Sequence, residues 1–123
     1  MRYLTARKRA EGRGAAHTGT AKHWSMTVSS VALAFLVPSW IYIFGHALGS
    51  DRDTVITTFS QPFPAILTAL VLLVGMRHFA MGATTMIEDY LQGSARKIAI
   101  IFATSTAGVV AATGLFALAR IAL

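Results

Sequence analysis

VSSVALAFLVPSWIYIFGHALG, Val28 to Gly49, runs for 22 residues without a lysine, arginine, aspartate or glutamate. An α-helix needs about 20 such residues to cross a hydrocarbon layer roughly 30 Å thick. Two more stretches of that kind follow. One extends from Phe63 to Ile87 and is interrupted only by Arg77 and His78; the other, IAIIFATSTAGVVAATGLFALA, covers Ile98 to Ala119 and is uncharged. Pro38 is expected to kink the first helix without ending it, because backbone in lipid has no better alternative than helix. The connections are SDRDTVITTFSQPFP, read as a polar loop closed by two prolines, and the short turn QGSARK. The fold class is therefore an all-α membrane protein with three transmembrane helices, spans near 27–49, 63–90 and 98–120. Residues 1–24 form a basic tail and residues 25–123 the anchor domain.

Composition agrees. Of the 123 residues 54% are hydrophobic and 13% charged, too few charges for a small soluble domain to cover its apolar surface. Without a cysteine there is no disulfide, thiolate nucleophile or Cys-ligated cluster. The net charge of +6 is concentrated in residues 1–22, where Arg2, Arg7, Lys8, Arg9, Arg13 and Lys22 face one Glu11. Beside membrane spans such charge reads as topology and lipid contact, not nucleic-acid binding. The positive tail and the Arg96-Lys97 turn put the N-terminus and that turn in the cytoplasm or matrix. No short apolar core with a cleavage site follows the tail, so a cleaved secretory signal is not expected.

The second span carries the chemistry. Gly75, His78, Gly82, Met86 and Asp89 fall on one helical face, with Asp89 about 16 Å beyond Gly75's neighbour His78 toward the cytoplasm. An imidazole at mid-bilayer depth needs a hydrogen-bond partner or a metal. Glycine on either side leaves room for a flat macrocycle whose iron the imidazole ligates axially. It equally leaves room for another helix, to which His78 would bond. Arg77 points elsewhere and needs a carboxylate: a haem propionate, or a group on a neighbouring chain. Glu88, Asp89 and Tyr90 end the span in the interfacial belt, where a phenol can donate to a quinone carbonyl. His23 and Trp24 read as interfacial anchors, His46 as interfacial and His17 as solvent-exposed. Thr104, Gly108 and Ala112 recur every four residues as a small-residue packing ridge.

The pattern H-x3-G-x6-D-Y, here His78, Gly82, Asp89 and Tyr90, resembles the second helix of the membrane-anchor D subunit of succinate dehydrogenase, respiratory complex II. The basic tail, the Lys22-His23-Trp24 before the first span and the three helices extend the resemblance over the chain. It implies that His78 is one axial ligand of a haem b shared with a second anchor (C) subunit, with Gly75 and Gly82 as its wall. It implies that Tyr90, with Asp89 beside it, contacts ubiquinone near an iron–sulfur subunit, and that a flavoprotein subunit completes the complex. An arginine usual in the family early in the first helix has no counterpart: positions 27–30 read Thr27, Val28, Ser29 and Ser30, so the resemblance assigns that helix no binding residue. The implied location is the bacterial inner membrane, with the mitochondrial inner membrane as the alternative. A fumarate reductase anchor and a cofactor-free structural or assembly subunit remain as competing readings.

Overall fold

The computed structural model describes residues 5–12 and 19–123. His17, Arg2 and Arg13 lie outside the described residues. Five helices follow in chain order: α1 (Ala6–Gly12), α2 (Gly19–Ala47), α3 (Arg52–Ser60), α4 (Pro62–Tyr90) and α5 (Gly93–Ala122). The short α1 is started by Thr5, whose hydroxyl accepts from the Lys8 amide at 3.2 Å, the usual way of satisfying a free first-turn donor.

α2, α4 and α5 are each long and apolar enough to cross a membrane. Little of them is covered by the chain itself: 6% of the most apolar window of each span is buried. Among the described residues the buried side chains are Ala47, Phe59, Pro64, Leu67 and Ala107, with Ser29 as the buried polar one. Large side chains such as Phe35, Phe79 and Phe102 stay exposed. In water that surface would be untenable; in lipid, or against other chains, it is the outer wall.

The spans also solve the problem of polar side chains in oil. Hydroxyls of Ser39, Thr68, Thr84, Thr104 and Thr113 each donate to a carbonyl one turn back, at 2.7–2.8 Å. Each hydroxyl proton is thus absorbed inside its own helix. α2 continues through Pro38 without interruption, as lipid requires. It stops at Ala47, and Gly49 takes a positive φ of 84° to turn the chain, a conformation that costs glycine little.

The loop expected between the first two spans is in part a helix. Asp51 caps α3: its carboxylate accepts from the Thr54 amide at 3.3 Å and from the Thr54 hydroxyl at 2.6 Å. Those bonds, the hydroxyl's first, hold the Asp51 carboxyl below its ordinary pKa, because they favour the charged form. Phe59 is the anchor, 8% exposed, and α3 lies against α2, α4 and α5. The two prolines read as closing the loop instead open α4. Pro62 occupies its first turn, where a missing N–H costs nothing. At the other end Leu91 and Gln92 alone separate α4 from α5, and Gly93, φ 61°, makes the reversal. GSARK, expected in the turn, is the first turn of α5.

α4 is the middle of the bundle. It packs on both α2 and α5, which make no contact with each other among the described residues. The α5 contact runs through Ala107, 4% exposed, and Gly114, where an added Cβ would lie 3.0 Å from Leu72 Cδ1. Thr104, Gly108 and Ala112, expected to form the packing ridge, are exposed instead. They are rotated off the α4 contact by the 3.6-residue helical turn.

Candidate functional site

α2 and α4 run antiparallel and are tied by polar bonds at three levels. Near one end the Trp40 indole donates to Thr68 Oγ1 at 3.1 Å, while Trp40 stacks on Phe44 with ring centres 4.7 Å apart. At mid-height Ser29 Oγ lies 2.8 Å from His78 Nδ1. At the other end Lys22 Nζ reaches Glu88 Oε2 at 3.0 Å. Along α4 the three ties are ten residues apart, 68 to 78 to 88, or about 15 Å each. On α2 the tied positions 22, 29 and 40 are seven and eleven residues apart and stay on one face, whereas ten-residue steps carry the ties around the side of α4.

Between these ties the glycines let α2 close in. A Cβ on Gly75 would meet Leu33 Cδ2 at 3.9 Å, and one on Gly82 would meet Met26 Cε at 3.6 Å. The Gly75–His78–Gly82 face is therefore turned to α2, and the partner of the imidazole is Ser29, which is 5% exposed. The ring itself is half-buried. Its second nitrogen, Nε2, has no hydrogen bond among the described residues. It is not enclosed either, since no buried side-chain nitrogen or oxygen lacks a partner. So Nε2 opens to the outside of the chain, at mid-height of a helix about 43 Å long. No cluster of three or more metal-ligating side chains forms among the described residues.

Arg77, next to His78, is exposed. It lines a groove of about 520 Å³ between α2 and α5, floored by α4 and walled by Val28, Ala32, Thr104 and Gly108. No described carboxylate pairs with it. A guanidinium is never neutral, so this groove asks for an anionic group from elsewhere.

At the Lys22 end of the bundle the three terminal residues of α4 separate in role. Glu88 is held by Lys22. That contact supplies the local reason for an acid at a helix C-terminus, where the dipole disfavours it. Asp89 and Tyr90 are left exposed, Tyr90 by 82%. Beside them Lys22, His23, Met26 and Thr85 line a cavity of about 260 Å³. Trp24 is 66% exposed, and His46 stacks edge-on with Tyr42 at 4.6 Å.

Sequence reasoning did not find Ser29, which it grouped with the ordinary residues standing where an arginine was expected. The antiparallel register narrows the search: paired positions sum to 108 for Trp40 and Thr68 and to 110 for Lys22 and Glu88, which sets His78 opposite positions 30–32, within one turn of Ser29.

The comparisons with known proteins bear on the whole chain. A family model described as the succinate dehydrogenase/fumarate reductase transmembrane subunit matches residues 1–112. The chain is 49% identical over 123 residues to a protein of Paracoccus denitrificans named succinate dehydrogenase hydrophobic membrane anchor subunit, covering all of this chain and 95% of that protein. No solved structure matches. Three helices long and apolar enough to span a membrane, matched over this length and at this identity, identify the chain as a multi-pass member of the succinate dehydrogenase/fumarate reductase transmembrane subunit family.

Proposed function

We propose that this chain anchors a succinate:ubiquinone oxidoreductase in the bacterial inner membrane, holds one side of a haem b through His78 and contributes Tyr90 and Asp89 to the ubiquinone site. The carrying observation is the imidazole: half-buried, held on Nδ1 by Ser29, and with Nε2 neither hydrogen-bonded nor enclosed among the described residues. That is the chemistry of an axial ligand shared across an interface. Succinate is preferred to fumarate because the 49% identical relative carries the succinate dehydrogenase name.

When bound, the haem supplies a one-electron relay in the membrane. His78 would hold the group through Nε2, the nitrogen that Ser29 leaves free. Gly75 and Gly82 act through α2: Leu33 and Met26 lie over them, and this close approach brings Ser29 within reach of the imidazole. Arg77 offers a permanent positive charge one residue away, suited to a propionate or to a carboxylate of the second anchor subunit. About 18 Å from His78 along α4, the Tyr90 hydroxyl donates a hydrogen bond to a quinone carbonyl. Asp89 is the acceptor beside it. The Lys22–Glu88 pair locks the start of α2 against this end, holding the small cavity by His23 in shape. The basic residues Arg96 and Lys97 at the same end meet anionic lipid and the iron–sulfur subunit, to which a flavoprotein subunit delivers electrons.

The test is the reduced-minus-oxidised absorption spectrum of the complex purified through this chain. A b-type band is expected in the wild type and its loss in His78→Ala, with both proteins in the membrane in equal amount. A band of equal height in the variant, or none in the wild type, would overturn the proposal.

A further inference from the structure

We infer that Ser29 is the positioning residue for His78: it accepts the Nδ1 proton and so fixes the tautomer that leaves the Nε2 lone pair free. This inference rests on the haem reading above. Ser29 Oγ is 2.8 Å from Nδ1 and 2.9 Å from the Met26 carbonyl, to which its hydroxyl donates. A serine has one proton. Given to Met26, it leaves Oγ only as an acceptor, and Nδ1 must then carry hydrogen. Every other hydroxyl named above in the spans makes the same backbone donation, and Thr68 shows the identical relay, donating to Pro64 at 2.7 Å while receiving Trp40.

The reverse assignment, Ser29 donating to Nδ1, would put the ring proton on Nε2 and leave no lone pair for a metal. The Ser30 hydroxyl also reaches the Met26 carbonyl at 2.9 Å, so that carbonyl is shared, and the choice is open to experiment. Ser29 is 5% exposed, so water does not replace it. A hydrogen bond accepted from the far side of a ligating imidazole raises its basicity and holds its plane, and losing such a partner costs about 10- to 100-fold in metal affinity.

Three variants of the purified complex test this: Ser29→Ala, Ser29→Cys, which keeps the volume but is a weak acceptor, and Ser29→Thr, which keeps both the backbone donation and the acceptor oxygen. The readouts are haem retained through detergent exchange and the midpoint potential of what remains. Ala and Cys are expected to lose haem about 10-fold faster or more, with the potential moved positive, since a less basic ligand stabilises ferric iron less; Thr is expected to match the wild type. Unchanged retention and potential in both Ala and Cys would overturn the inference, as would loss in Thr equal to that in Ala. If the wild type holds no haem, or His78→Ala keeps it, the underlying reading fails instead, and the two failures are distinguished in one experiment.

Discussion

Tyr90 and His78 stand on the same helix and illustrate two kinds of residue. His78 is constrained by its surroundings, with Ser29 at 2.8 Å and most of its surface covered. Tyr90 is constrained by nothing in this chain, being 82% exposed. An exposed phenol at the end of a span is either an interfacial anchor or a group waiting for a ligand, and one substitution separates the two. Tyr90→Phe keeps the ring and removes one hydrogen bond, worth about 1 kcal/mol. Haem content and assembly should be unchanged while ubiquinone reduction weakens roughly five-fold at subsaturating quinone. Quinone kinetics equal to wild type would assign Tyr90 to anchoring alone. The histidine and the tyrosine were legible in the sequence because ionisable and phenolic groups stand out against an apolar run. Ser29 was not, because a serine in a span usually satisfies itself on its own backbone, and only the neighbouring helix shows that it does more.

At the scale of the element, the α2–α4 pair is built around two glycines and three polar ties. Gly82 offers the cleaner probe. With 3.6 Å between a Cβ and Met26 Cε, alanine fits as an ordinary contact, whereas leucine must displace α2. Overpacking of that kind costs about 1–3 kcal/mol. Gly82→Ala should therefore retain haem, and Gly82→Leu should lose it while the chain still inserts, as read by haem-to-protein ratio in the purified complex. Equal haem in both would mean that the approach of α2 at this level does not govern the site. The three long helices were legible from apolar length, and all three are long and apolar enough to span. Their ends were not. α2 starts at Gly19 and α5 at Gly93, because polar and basic turns extend a helix past the hydrocarbon without altering hydropathy there. α3 was hidden for a different reason: nine residues with one buried aromatic, Phe59, give no membrane-length signal. Its marker was Asp51 three residues before Thr54, a capping pair that a reading tuned to apolar length passes over.

For the whole molecule the dominant fact is how little it buries. Three long helices, each with 6% of its most apolar window buried, are a wall awaiting neighbours, which agrees with a subunit of a larger assembly. Orientation can be read directly because the chain has no cysteine, so introduced ones report without background. Ser94→Cys, in the turn before Arg96, and Ala21→Cys should be labelled by an impermeant maleimide only from the cytoplasmic side. Ser50→Cys should be labelled only from the opposite side. Ser94 and Ser50 labelled from one face would contradict an odd number of spans between the turns. The central claim, that the mid-membrane imidazole ligates iron, is tested most directly by an experimental density map of the assembled complex purified from its native membrane. The account expects a planar macrocycle joined through its iron to His78 Nε2, a second protein ligand on the opposite face, and Ser29 on Nδ1. A lipid chain or an apolar side chain of a neighbouring helix packed against Nε2, with no macrocycle between the subunits, would contradict it.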